Sequence, residues 1–350
     1  MDTAELTRDA PAEFAFTDEH TALRGMLAEF FVDPGETGWR RLLSEVGADE
    51  IVFDTGNPDA SATAIDLAIL AEQAGAALFG GPLLPSVAAG VVGGAVGDAA
   101  LLAWLRDGTC TAALTTGASM STNAAGIDVT VAPVWHAADA DVVVAAGTLD
   151  GAPAVALFTD LGGGLEVRTG LDLSRSIGRL NLRGARPAVL LSGPDAAAVH
   201  TALARRIDLV TSAELLGVAQ HVLDGTVEYV DKRIQFGRSI GSFQAVKHRL
   251  VDLLAAVELA RSAVYGAAWR LAGAPQALGT DIDLAVAAVL SRKAALAVTK
   301  AGVQLHGGIA ITWEHWAHRY LRRTNSVVAL TGSPAEYRRR LAELIDRRDA

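Results

Sequence analysis

Apolar residues recur at helical spacing in the first part of the chain, at strand spacing in the middle, and at helical spacing again from Asp195 to the end. Leu23, Met26, Leu27, Phe30 and Phe31 form an amphipathic stripe, with Thr17 and Asp18 just before it as N-cap candidates. Trp39, Leu42, Leu43 and Val46 repeat that spacing, as do Leu67, Leu70 and Ala74. Gly80–Pro85 (GGPLLP) interrupts the helical run. Short β-prone runs follow at Val129–Val131, Val142–Ala146, Ala154–Phe158, Leu165–Val167, Leu180–Leu182 and Ala188–Leu191, separated by Gly, Asp and Pro as in an antiparallel sheet. Long helical segments then cover residues 195–232, 242–273, 281–306 and 334–347. Gly237 and Gly241, Pro275 and Gly279, and Gly307 and Gly308 break them, which predicts an antiparallel bundle. The fold class expected is α+β. A helical domain occupies residues 1–109, a small β domain 110–193 and a helical bundle 194–350.

Composition narrows the possible roles. The chain has 350 residues, enough for two or three domains at roughly 150 each. A formal net charge of -10 disfavours phosphate backbones and anionic lipid heads, so no nucleic acid and no membrane partner is expected. The Arg-rich tail (Arg338, Arg339, Arg340, Arg347, Arg348) reads as a solvated helix face. Cys110 is the single cysteine, so no internal disulfide and no thiolate metal cluster can form. The acidic start lacks an apolar leader core, and a cytoplasmic location is expected. The most apolar stretch, Pro85–Leu105, is broken by glycines and Asp98 and does not read as a membrane span.

Two motifs carry candidate chemistry. Arg233-Ile-Gln-Phe-Gly-Arg-Ser-Ile-Gly-Ser-Phe-Gln244 lies between two long helical segments, and Gln304-Leu-His-Gly-Gly308 ends another. Their glycines can serve as plain helix-terminating turns and Arg233 as a surface charge. They also suit a diphosphate, because guanidinium pairs with phosphate oxygens and glycine exposes backbone donors. Both motifs, at this separation and on this helical background, resemble those of the acyl-CoA dehydrogenases. That family orders its domains as helical, β, then bundle, and uses FAD to place a double bond between the α and β carbons of an acyl-CoA. By this resemblance Arg233, Gln235, Phe236, Gly237, Gln244, Gln304, Gly307 and Gly308 contact the diphosphate and adenosine end of a flavin bound mainly by a neighbouring subunit.

Other positions depart from the family. Its catalytic Glu, which removes the α-proton, corresponds here to Thr331, and Thr is no base near neutral pH without activation. The family's alternative base position, reached by aligning on Gly217-Val-Ala-Gln220, holds Ile207. Asp208 and Glu336 are the nearby carboxylates that could substitute. No Glu-Pro pair or Gly-Ser-Asp follows Thr115, and Trp135 is followed by His136 and Ala137 rather than the family's flavin-facing pair. No catalytic residue is therefore assigned. The chain is similar to the shorter subunit of heteromeric acyl-CoA dehydrogenases of actinobacterial steroid side-chain breakdown. That resemblance implies a longer partner carrying the Glu, a dimer of heterodimers, one FAD per pair and a bulky acyl-CoA substrate. A self-sufficient homomer and a non-enzymatic scaffold remain as alternatives.

Overall fold

Helix caps and close helix crossings set out most of this structure, a computed structural model that describes residues 15–35, 37–53 and 62–349. α1 (Asp18–Phe30) starts where the Thr17 hydroxyl accepts from the His20 N–H and the His20 ring accepts from the Thr17 N–H. Of the expected stripe, Leu27 and Phe31 are buried, whereas Met26 is exposed. Two short helices, α2 (Gly38–Ser44) and α3 (Ala48–Val52), bury Leu42, Leu43, Ile51 and Val52. α4 (Ala64–Ala76) is apolar on nearly every side and buries Glu72 among alanines and leucines. α5 (Leu83–Val96) follows the break at Gly80–Pro82, and α6 (Ala99–Arg106) leads into the sheet.

The sheet has seven strands: β1 (Ala112–Thr122), β2 (Ile127–Trp135), β3 (Val142–Leu149), β4 (Ala152–Phe158), β5 (Leu165–Arg168), β6 (Ile177–Ala185) and β7 (Val189–Ser192). Their order is β5-β6-β2-β1-β3-β4-β7. Alternation puts Val129, Val131, Val143, Ala145, Phe158, Leu180 and Leu182 into one core. β3 is buried on both faces from Val142 to Ala146 because α5 packs over β1, β3 and β4. The sheet corrects the antiparallel expectation at one pair: β1 and β3 run parallel, Ala112 opposite Val142 and Met120 opposite Leu149. The β1–β2 hairpin lies on one side of β1, so β3 returns to the other side in the same direction. β1 itself was not among the expected strands, because its small residues (AALTTGASMST) carry little β signal.

After the sheet come α7 (Gly193–Lys232), α8 (Gln244–Gly273), α9 (Leu278–His306), α10 (Ala317–Thr331) and α11 (Pro334–Asp349). The four expected long segments are present, and α10 adds to them. The described chain divides into two compact units. One holds α1, α4 and the chain from Asp208 onward; the other holds Val32–Thr63 and Gly80–Ile207.

Within the first unit α4 crosses α7 backbone to backbone. A Cβ on Gly217 would lie 1.8 Å from the Glu72 carbonyl oxygen, and one on Gly75 would lie 2.2 Å from that of Glu214. The Glu72 carboxylate accepts from Arg24 and from Arg261, each at 2.6 Å, and from the Tyr265 hydroxyl. Burial opposes its charge, but Arg24, Tyr265 and Arg261 overcome this and hold the carboxyl below its ordinary value. Glu214 pairs with the fully buried Arg323 at 2.9 Å, and Arg323 also donates to the carbonyls of Leu78 and Phe79 at 3.2 Å. Replacing Gly217 with Ala should therefore lower stability by about 1–3 kcal/mol or more through overpacking. Urea unfolding, read as a fall in midpoint at unchanged slope, checks it.

Candidate functional site

At Lys232 the chain leaves α7 and reverses within a few residues. β8 (Ile234–Gln235) and β9 (Arg238–Ser239) pair Ile234 with Ser239 and Gln235 with Arg238, leaving Phe236 and Gly237 as the turn. Both take positive φ, 53° and 76°, as a two-residue hairpin with matching twist requires. Phe236 is 92% exposed. The Arg238 guanidinium lies 4.0 Å over the Phe243 ring instead. Arg233, Gln235 and Gln244 are exposed, and Arg233 has no ion pair among the described residues.

The second motif ends α9. Gln304 is exposed on the last turn. Gly307 adopts φ 71°, ψ -147°, a conformation side chains disfavour, and a Cβ on Gly307 or Gly308 would meet nothing within 4 Å. Backbone here is open to an incoming group. Tyr229 links the two motifs: its hydroxyl donates to the His306 carbonyl at 3.3 Å and its ring stacks on His306 at 4.2 Å. His306 Nδ1 in turn donates to the Gly302 carbonyl at 2.7 Å, and burial lowers its pKa, so the ring is neutral near pH 7. Together they form a cavity of about 680 Å³ lined by Tyr229, Lys232, Arg233, His306, His315 and Trp316, among others. Arg233 of the first motif and His306 of the second line this cavity. Gln235, Phe236 and Gly237 are exposed in the hairpin, Gln244 is exposed at the start of α8, and Gln304, Gly307 and Gly308 are exposed at the α9 end.

The candidate base positions look different. Thr331 closes α10; its hydroxyl donates to the Val327 carbonyl and accepts from the Arg292 guanidinium, both at 2.7 Å. Asp208 is buried with both oxygens engaged, one accepting from Tyr337 at 2.5 Å and the other from Arg340 at 2.6 Å. Burial raises its carboxyl pKa against the pull of Arg340 and Tyr337. Glu336 sits at the start of α11, where it accepts from the Ser333 N–H at 2.6 Å while Ser333 accepts from its own N–H. That backbone contact holds its carboxyl below its ordinary value.

With this geometry in view, the similarities to known proteins become specific. A family model described as "Acyl-CoA dehydrogenase, C-terminal domain" matches residues 200–345. The acyl-CoA dehydrogenase IpdE2 of Mycobacterium tuberculosis is 32% identical over 314 residues, covering 87% of this chain and 86% of the relative. IpdE2 of Mycolicibacterium smegmatis is 32% identical over 341 residues, 96% of this chain and 97% of the relative. The chain belongs to the acyl-CoA dehydrogenase family. The fold agrees: a chain from the crystal structure of the ChsE4-ChsE5 complex from Mycobacterium tuberculosis matches with a TM-score of 0.82 at 25% identity, covering 95% of this chain and 99% of that one.

Membership makes the chemistry that of an oxidoreductase acting on a CH–CH bond, with FAD as cofactor. For the diphosphate end of FAD the cavity offers the Arg233 guanidinium, which has no ion pair among the described residues, and His306, which precedes the exposed Gly307–Gly308. No helix among the described residues is long and apolar enough to cross a membrane, and those residues contain no cluster suited to a metal.

Sequence reasoning missed Tyr229, His306, Arg292, Tyr337 and Arg340. His306 stood inside a motif that drew attention to its neighbours, and Arg292 sits beside Lys293 in an alanine-rich helix, where nothing local marks which of the two is buried. Asp208→Ala should deprive Arg340 and Tyr337 of their shared carboxylate and cost about 3–5 kcal/mol, whereas Glu336→Gln, at an exposed cap, should cost less. Thermal unfolding of both variants checks the ranking.

Proposed function

We propose that this chain is one subunit of a heteromeric FAD-dependent acyl-CoA dehydrogenase, supplying diphosphate and adenosine contacts to an active site seated mainly in a longer partner. The observation that carries the reading is the cavity that joins the two glycine motifs beside Arg233 and Lys232. The state of the base positions supports it: Thr331 bonds a guanidinium, and Asp208 and Glu336 are committed to an ion pair and a helix cap. Similarity to a chain of the two-component ChsE4-ChsE5 complex points the same way. The substrate class that goes with the reading is a bulky, steroid side-chain acyl-CoA.

When bound, FAD supplies the oxidant that accepts the β-hydrogen as hydride. The work of this chain is positioning. Arg233 offers a charge-assisted and bidentate contact to a diphosphate. Gly308 admits a phosphate oxygen to backbone that a side chain would screen, while the Gly307 N–H stays with the Val303 carbonyl. The Tyr229–His306 stack fixes the distance between the two contacts.

The purified chain alone should be colourless and show no turnover of any acyl-CoA. Co-expression with a longer homologue carrying the catalytic Glu should give a yellow, active complex. Yellow colour and turnover from the single chain would establish the homomer, and no flavin in either preparation would establish a scaffold. Within the complex, Arg233→Ala should reduce flavin affinity about ten- to a hundred-fold, the loss of roughly 1.5–3 kcal/mol, without dissociating the subunits. The flavin-to-protein ratio after dialysis and the mass by light scattering separate a cofactor contact from an interface contact.

A further inference from the structure

Arg292 is fully buried on α9 and satisfies its guanidinium entirely on neutral oxygens. Nε donates to the Gly332 carbonyl at 3.0 Å, and Nη1 to the Ala288 carbonyl at 3.3 Å. Nη2 donates to the Thr331 hydroxyl at 2.7 Å, to Thr211 at 3.2 Å and to Tyr337 at 3.3 Å. Its charge also lies 4.3 Å over the Tyr337 ring. The carboxylate in this network, Asp208, feels the Arg292 charge but accepts no hydrogen bond from it; its oxygens go to Tyr337 and Arg340. Burial accordingly pulls the Arg292 pKa below its ordinary value.

A buried cation held by neutral partners gains much from an anion brought into direct contact. The shortest of its bonds leads to Thr331, the position at which the resemblance places the family's base. We propose that Arg292 closes this position to general-base chemistry: a carboxylate introduced at residue 331 is captured by the guanidinium as an ion pair and is not free to accept a proton. A base needs a lone pair aimed at the substrate and a pKa near the working pH. A carboxylate paired to Arg292 has neither. The position is therefore faced by a cation, not merely emptied of an acid. This rests on the reading of residue 331 as the lost base position. It predicts that restoring Glu there fails even when FAD is supplied.

The test compares Thr331→Glu with Thr331→Gln in the full chain by thermal unfolding between pH 3 and pH 8. The two side chains match in size, so their difference reports the carboxylate alone. A captured carboxylate has a folded-state pKa below its unfolded value. Its stabilisation is present above the unfolded value of about 4.3 and is lost as pH falls through the folded one. The Glu variant should melt higher than the Gln variant at pH 7 by about 2–4 °C, and the gap should close between about pH 5 and pH 3. Equal midpoints at every pH, or a Glu variant that is the less stable at pH 7 and recovers on acidification, overturns the proposal. The same comparison in an Arg292→Met background should abolish the gap, and a gap that persists there also overturns it. If Arg292→Met does not fold, the comparison in the unaltered background decides alone. None of these readouts depends on turnover, so they stand or fall separately from the heteromer, which flavin content and activity of the unmutated chain decide.

Discussion

Two glycines set the spacing of the helical unit. Gly75 on α4 and Gly217 on α7 let the helices meet through backbone, each occupying the space that the other's neighbouring carbonyl would deny to a side chain. Glu72 and Glu214 lie three residues before these glycines, on the same helix faces, and are drawn into the contact with them. Buried carboxylates need partners. Arg24 and Arg261 answer Glu72, and Arg323 answers Glu214, which ties α1, α8 and α10 to the crossing. Breaking one of these pairs would strand a charge in the interior, so the crossing and the ion pairs stand together.

The same device continues along α7 toward the cavity. A Cβ on Gly302 of α9 would press on Val222 at 2.7 Å, and one on Gly225 would press on the Trp316 ring at 2.8 Å. Small residues bring α9 and the chain after it close enough for Tyr229 to stack on His306. The cavity is thus a product of helix spacing, and its floor is fixed before any ligand arrives. Several carboxylates of this unit serve structure: Glu72, Glu214 and Asp208 in ion pairs, Glu336 in a cap. The cavity lining mixes Asp224 and Glu228 with Lys232 and Arg233; Glu228 pairs with Lys232, which leaves Arg233 as a lining cation with no ion pair among the described residues.

The sequence carried much of this, unevenly. Helical spacing of apolar residues located the long helices, because a period set by one buried face survives in any single sequence. β1 escaped, since a strand of Ala, Ser and Thr buries by neighbourhood and not by side-chain size. Its parallel pairing to β3 was equally silent, because alternation is the same for either direction. The motifs drew attention to Arg233, which lines the cavity, and to the turns at Gly237 and Gly307, whose positive φ leaves a glycine signature. Arg292 and the Asp208–Arg340 pair were not legible as a network. Their partners lie 39 to 132 residues apart, and no local pattern encodes such a distance.

Arg233 and Arg292 show how burial decides the use of one chemical group. Arg292 has every donor turned inward and is 0% exposed, so no ligand can reach it without unmaking the bundle. Arg233 follows the last turn of α7, exposed, with its backbone held by Tyr229 and Ile240 and its side chain without an ion pair among the described residues. Immobilising a backbone while leaving a guanidinium open reduces the ordering cost that binding would otherwise incur. Beside it Phe236 presents an aromatic ring to solvent at 92% exposure, held there by a turn that leaves the ring no core to enter. A large exposed apolar side chain next to a cation with no ion pair among the described residues suits a surface completed by another molecule. The hairpin is therefore the surface on which the proposed cofactor and partner contacts fall, and the Arg292 network is where base chemistry is proposed to be closed.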